Sequence, residues 1–180
     1  VHDPETLYYL SHLYQLAGQK QTSEAVLQQA LKLDPDYAPA NNDLGYTWAE
    51  QGKHLPEAEA MVRSALKVEP GNTSFLDSLG WVLYKLGRFD AARENLQKAA
   101  VGPNPDPVIL NHLGDTLYRL SQKAEAVKLW QRSLDGIGKL AEPRDELKEL
   151  QVKLQHNLAQ SRQNKPASVE PSLSDEATGT

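Results

Sequence analysis

The sequence contains no cysteine and only one methionine, Met61. Without cysteine the protein has no disulfide bond, no zinc–thiolate site and no cysteine nucleophile. No apolar run approaches the length of about 18 residues that a membrane-spanning helix requires, so we expect no membrane insertion by this segment. A signal-peptide pattern is also missing. Because the first residue is Val1, we expect a processing site or the boundary of a longer chain there, with any targeting segment upstream.

Basic residues are also fewer than acidic residues. Lys and Arg together number 19 against 24 Asp and Glu, which gives a formal net charge of −5. Nucleic-acid-binding proteins obtain much of their affinity from Lys and Arg that neutralise phosphates, so this balance argues against a nucleic-acid partner. Apolar residues make up 39% and charged residues 24% of the chain, which is ordinary globular usage and allows a buried core.

Catalytic signatures are absent as well. The sequence has no G-x-S-x-G, Walker or dinucleotide-binding fingerprint. His112 and Asp115 lie three residues apart on one predicted helix and would supply two metal ligands, but no third ligand is indicated. We therefore expect a protein that is not an enzyme, with no catalytic residue, no metal and no cofactor.

The main feature of the sequence is an internal repeat. Three similar segments, NNDLGYTWAEQGK, LDSLGWVLYKLGR and LNHLGDTLYRLSQ, begin at Asn41, Leu76 and Leu110, and LYYLSHLYQLAGQ is a fourth copy that begins at Leu7. One leucine recurs at intervals of 34, 35 and 34 residues, at Leu10, Leu44, Leu79 and Leu113. A small residue recurs at intervals of 35, 34 and 34, at Ala30, Ala65, Ala99 and Ser133. Such a period predicts stacked helical pairs that share one core.

This pattern resembles the tetratricopeptide repeat (TPR), a helix–turn–helix unit of about 34 residues. The third copy matches the family pattern at Leu76, Leu79, Gly80, Leu83, Ala92, Leu96 and Ala99, and the likeness covers roughly residues 4–135. The resemblance implies an all-α fold, a right-handed superhelix of four helical hairpins. It also implies a non-catalytic scaffold or adaptor that binds a protein or peptide partner. The segments look like repeat regions of large bacterial members of the family, so we expect a soluble bacterial protein of the cytoplasm or the cell envelope.

The landmarks divide the chain into six parts. We expect four repeat units, then a capping helix with Leu147, Leu150, Leu154 and Leu158 on one stripe, then a tail rich in Pro, Ser and Glu. The tail has no periodicity and is predicted to be disordered. The predicted boundaries are 1–35, 36–70, 71–106 and 107–135 for the units, 143–163 for the capping helix and 164–180 for the tail.

The first helix of each unit is expected to line the inner, concave wall of the stack. On each first helix we expect three positions to face inward. They are the residue directly after the repeat glycine, the residue three before that position and the residue three after it. The candidate residues for a peptide groove are Tyr8, His12, Asn42, Tyr46, Asp77, Trp81, Tyr84, Lys85, Asn111, His112, Asp115, Tyr118 and Arg119. Aromatic and charged side chains of this kind often carry most of the energy of an interface, so we hypothesise a peptide or helix along this wall.

Three alternatives remain open. Trp81 and Tyr84 alternatively fill the gap between neighbouring first helices and serve packing alone. The first unit has no cap of its own, which is typical of a longer array or of self-association. A repeat that reads RNA is the third alternative, and the charge balance disfavours it.

Overall fold

The computed structural model describes residues 3–178, with side chains up to Asp175. These residues form α-helices and no strand, which confirms the predicted all-α fold. The helices are α1 (Pro4–Leu16), α2 (Lys20–Leu33), α3 (Ala38–Glu50), α4 (Leu55–Val68), α5 (Thr73–Lys85), α6 (Phe89–Ala99), α7 (Pro107–Arg119), α8 (Lys123–Ile137), α9 (Asp145–Arg162) and α10 (Leu173–Thr178).

The first eight helices form four hairpins that stack in chain order. Within each hairpin the two helices pack on each other, and the second helix also packs on the first helix of the next hairpin. The first three hairpins lie within the units predicted from the sequence, whereas α8 runs to Ile137, past the boundary predicted at residue 135. Residues 1, 2, 179 and 180 of the predicted first unit and tail lie outside the described residues.

Several first helices begin at a side chain that caps the backbone. Asn72 accepts hydrogen bonds from the backbone N–H groups of Ser74 and Phe75, at 3.0 and 3.2 Å. Asp106 accepts one from Val108 at 2.7 Å, and Pro107 follows it as the first helical residue. Such caps satisfy amide groups that have no partner inside the helix, so the start of each of these helices is fixed locally.

Close crossing of the two helices is the feature that sets the shape of a hairpin. A Cβ atom on Gly80 would lie 2.5 Å from Cγ of Leu96, and one on Gly114 would lie 2.6 Å from the Trp130 ring. In the second hairpin, a Cβ on Gly45 would lie 2.7 Å from Val62. These glycines let a large side chain of the second helix rest directly on the backbone of the first.

The chain does not end at the cap. Helix α9 packs on α8 and α7 and buries Leu147, Leu154 and Leu158, as expected of a helix that closes the stack. After it, residues 164–178, which we name the C-terminal segment, turn back toward the first helices. Asn157 holds the segment with two hydrogen bonds to the backbone of Ser168, both 2.9 Å long.

The order of this segment differs from the sequence-based prediction of disorder from residue 164. The reason is that the segment is held by hydrogen bonds to side chains far away in the chain and packs Ala167 and Val169 against the core. A pattern of apolar residues carries no trace of such contacts. Among residues 3–178, no helix combines the length and apolar character needed to cross a membrane.

We predict that Gly80→Ala destabilises the protein by about 1–3 kcal/mol, because the new methyl group overlaps a fully buried leucine that has little room to move. Chemical denaturation followed by circular dichroism measures the change.

Gly71→Ala is the matched control, since a Cβ there meets nothing within 4 Å. Equal losses of stability in the two variants would show that the close crossing is not what makes Gly80 necessary.

Candidate functional site

The first helices of the four hairpins, α1, α3, α5 and α7, lie on one side of the stack. We name this side the inner face. Two cavities border it. The N-terminal cavity has a volume of about 540 Å³ and includes His12, Asn42, Tyr46 and Asp77. The C-terminal cavity has a volume of about 590 Å³ and includes Tyr46, Trp81, Lys85, Asn111 and His112. Tyr46 and Thr47 line both cavities, so the two are neighbours along one surface.

Trp81 and Tyr84 lie between helices of the stack. Trp81 is 2% exposed and stacks on His112 with ring centroids 4.0 Å apart, and on Tyr84 with centroids 4.8 Å apart. Its Nε1–H donates to Glu50 of the preceding hairpin, and Tyr84 is fully buried. The packing alternative therefore describes these two rings, whose area is used by neighbouring helices.

His112 and Asp77 form a buried pair between α7 and α5. His112 Nδ1 donates to Asp77 Oδ1 at 2.9 Å. Burial by itself lowers the pKa of His112, but the charge and hydrogen bond of Asp77, with the nearby charges of Glu50 and Asp115, outweigh it, so the pKa is raised. The pair therefore favours a protonated imidazole at the centre of the inner face.

Asp115 does not open onto the inner face. It is fully buried, accepts a hydrogen bond from Trp130 Nε1 at 2.9 Å and another from Lys153 Nζ at 2.9 Å. Burial is the main reason that the pKa of Asp115 is raised, with Lys153 opposing it. The repeat pattern assigns Asp115 to the groove. Because α9 brings Lys153 over it, Asp115 is instead part of the core.

The C-terminal segment covers the inner face at Tyr84, Tyr118 and Arg119. The Tyr84 hydroxyl donates to the backbone carbonyl of Glu170 at 2.5 Å, and Arg119 Nη2 donates to the same carbonyl at 2.7 Å. The backbone N–H of Ala167 donates to the Tyr118 hydroxyl at 2.9 Å. Three side chains of the predicted groove thus bind main-chain groups of the C-terminal segment, at residues that precede α10.

Charge also holds the C-terminal segment. Arg119 donates two hydrogen bonds to the Asp175 carboxylate, at 2.6 and 2.7 Å, and these are the main reason that the pKa of Asp175 is lowered. Lys153 and Lys85 lie 3.1 and 3.7 Å from the Glu170 carboxylate. Burial by itself raises the pKa of Glu170, but these two lysines outweigh it and the pKa is lowered.

The N-terminal half of the inner face carries the remaining candidates. His12 Nε2 lies 2.9 Å from Asp43 Oδ2, and Asn42 Nδ2 donates to Asp43 Oδ1 at 3.0 Å. Tyr8 borders neither cavity. Its ring stands edge-on to those of His12 and Tyr37.

The inner face also includes residues that their position in the repeat does not predict. Lys153 and Glu170 reach the inner face from α9 and the C-terminal segment, which both lie outside the repeat. Asp43 and Asp106 border the N-terminal cavity, although Asp43 precedes the repeat leucine and Asp106 caps a helix. Among the described residues, no group of three His, Cys, Asp or Glu side chains is placed to hold a metal ion.

We predict that the stability conferred by the His112–Asp77 pair is lost as pH rises. A raised pKa means that the folded state binds the proton more tightly, so the contribution is complete below the unfolded pKa of about 6.5 and declines as pH passes through the folded value. Unfolding free energies of the native chain and His112→Gln, measured from pH 5 to 9, should converge toward alkaline pH.

His156→Gln, a change on the exposed side of α9, should keep the native pH profile. A constant difference between the native chain and His112→Gln across this range would contradict the assignment.

Comparison with known proteins places this architecture in a family. Two family models described as tetratricopeptide repeat match the chain, one at residues 4–37 and the other at 54–107 and 78–139, which together are more than half of it. No protein of curated function matches the sequence significantly.

Solved structures with the same fold are distant in sequence. PilF of Pseudomonas aeruginosa is 21% identical, with a TM-score of 0.65 over 89% of this chain and 69% of that one. TTC0263 of Thermus thermophilus is 21% identical, with a TM-score of 0.66 over 85% and 80%. A chain of the APC/C hetero-tetramer Cut9-Hcn1 is 20% identical, with a TM-score of 0.75 over 90% of this chain and 30% of that one. These likenesses concern the fold, and with the family matches they show that the chain belongs to the tetratricopeptide repeat family, whose solenoids generally serve as protein-interaction scaffolds.

Proposed function

We propose that the protein is a non-catalytic scaffold whose inner face binds a peptide segment of another protein. The observation that carries this proposal is that the inner face already holds one such segment, its own C-terminal segment. The bonds to it run from side chains of the solenoid to backbone groups of Ala167 and Glu170 and to two carboxylates. Surfaces that bind main-chain groups in this way accept peptides of varied sequence.

The geometry of Arg119 supports recognition of acidic segments in particular. Its guanidinium contacts a carboxylate with two nitrogens and also contacts a backbone carbonyl. Paired hydrogen bonds of this kind fix both the position and the direction of a bound chain. Tyr84 adds a hydroxyl at the same place, so a partner that replaces the C-terminal segment must offer a carbonyl and an acid at matching spacing.

The RNA alternative gains no support from this surface. Three of the cations on and around the inner face, Lys85, Arg119 and Lys153, lie within 4 Å of carboxylates. A phosphate backbone would have to displace those acids before it could gain charge neutralisation.

We predict that a labelled peptide of residues 164–178 binds weakly to the native chain and about tenfold more tightly to the Glu170→Gln/Asp175→Asn variant. The attached segment competes at a high effective concentration, and loss of three partly exposed ion pairs weakens it by about 1.4 kcal/mol. Fluorescence anisotropy measures both affinities.

Asp90→Asn/Glu94→Gln is the matched control, since it removes the same two charges from helix α6 on the outer side of the stack. It should leave the affinity at the native value. Failure of the peptide to bind any of the three proteins would refute the proposal.

Self-association is a second candidate function, favoured by one stripe of α1. Tyr9, Leu13 and Leu16 are 60%, 63% and 83% exposed. The residues equivalent to Leu13 in the third and fourth units, Val82 and Thr116, are fully buried between hairpins. The free side of α1 therefore has the apolar character of a stacking surface, and we propose a second copy of the chain as its occupant.

We predict that the native chain shows a rise in average mass with concentration and that Leu13→Glu abolishes it, because a carboxylate cannot be buried in an apolar interface without a partner. Sedimentation equilibrium at several concentrations measures the mass. Val152→Glu, which places the same charge at a residue 67% exposed on α9, should associate like the native chain. A native chain of monomer mass at every concentration would exclude this second function.

A further inference from the structure

Asn42 presents a buried hydrogen-bond acceptor that has no donor. The residue is 7% exposed and borders the N-terminal cavity. Its Nδ2 donates to the Asp43 carboxylate, which can only accept, so the orientation of the amide is fixed and Oδ1 points away from that partner. Oδ1 has no hydrogen-bond partner among the described residues. A buried carbonyl oxygen without a donor destabilises the protein, and a ligand N–H would supply the missing hydrogen bond.

Three carboxylates border the same cavity, those of Asp43, Asp77 and Asp106. Asp43 accepts hydrogen bonds from His12 and Asn42, and Asp77 is paired with His112 through one oxygen. Asp106 uses one oxygen to cap α7 and is exposed. Among the described residues that line the cavity, none is Lys or Arg. The cavity thus offers acceptors and negative charge, and a ligand must bring donors and positive charge.

The rest of the inner face carries both signs of charge. Lys85, Arg119 and Lys153 lie in its C-terminal half, where they hold Glu170 and Asp175 of the C-terminal segment. The C-terminal cavity is lined by both lysines and glutamates, whereas the charged side chains of the N-terminal cavity are aspartates. A basic ligand meets no Lys or Arg among the described residues that line the N-terminal cavity, and no residue of the C-terminal segment lines it, so the two do not compete for the same place.

We infer that the N-terminal cavity binds a lysine- or arginine-bearing segment of a partner protein, an inference that rests on the proposed function of the inner face. The volume of about 540 Å³ lies in the range of pockets that hold small ligands and short peptide segments. The ammonium or guanidinium group binds the carboxylates, and an N–H of the same segment donates to Asn42 Oδ1. The C-terminal segment stays in place while this happens.

The test uses the full chain and two fluorescein-labelled peptides, Gly-Arg-Lys-Arg-Gly and its uncharged counterpart Gly-Gln-Gln-Gln-Gly. Fluorescence anisotropy should show saturable binding of the basic peptide alone, weakened by added NaCl because the attraction is electrostatic. Asn42→Leu should lower the affinity for the basic peptide about tenfold. Its thermal midpoint should be no lower than that of the native chain, because the substitution removes an unpaired buried acceptor.

Asn111→Leu is the matched control for Asn42→Leu. Asn111 occupies the equivalent position of the fourth unit, is buried and also has an Oδ1 without a partner among the described residues, but it borders the C-terminal cavity. It should leave the affinity for the basic peptide unchanged. Asp106→Asn provides a second variant that keeps the helix cap, since asparagine caps as well as aspartate, and it should weaken binding.

The outcomes separate this inference from the proposed function. Equal binding of the two peptides, or equal losses in Asn42→Leu and Asn111→Leu, would overturn the inference. If the peptide of residues 164–178 still binds to Glu170→Gln/Asp175→Asn in that case, the proposed function stands without it. If Glu170→Gln/Asp175→Asn binds the basic peptide with unchanged affinity, the two halves of the inner face act independently, as inferred.

Discussion

Each hairpin from the second to the fourth depends on contact between a glycine of its first helix and a large side chain of its second. Leu96 rests against Gly80, and Trp130 rests against Gly114, at distances that leave no space for a methyl group. Since a single hairpin cannot cover its own apolar residues, these close crossings also set the spacing at which hairpins stack on each other. The inner face exists because the first helices are held side by side by this stacking.

The charge of the inner face depends on the residues at positions where the repeat pattern does not constrain the residue type. Positions that pack between helices are apolar or small, while inward positions vary among Asn42, Asp77 and Asn111, which are equivalent in three successive units. Two of these carry an amide oxygen without a donor among the described residues, and the third is paired with His112. Variation at one repeated position thus changes the charge and the hydrogen-bonding groups along the surface, while the arrangement of the helices stays the same.

The C-terminal segment shows how a polar sequence becomes ordered on such a frame. Arg119 and Tyr84 bind its backbone and its acids, and Asn157 ties it to the cap. These are long-range contacts between residues that neither propensity nor periodicity connects. A segment with this composition has no means of folding alone, and its order belongs to the solenoid rather than to its own residues.

The all-α fold, the four hairpins and the glycines at their crossings can be predicted from the residues alone, because a period of 34 or 35 residues is a local property repeated along the chain. The helical period also gives a prediction of which side chains face inward, since it assigns each side chain to one side. Which of these side chains are open depends on how the helices and the C-terminal segment pack in three dimensions. Trp81 and Asp115 are enclosed by neighbouring helices and by α9, and Tyr118 and Arg119 are covered by the C-terminal segment. Exposure depends on what other parts of the chain occupy the same space, and no local pattern contains that information.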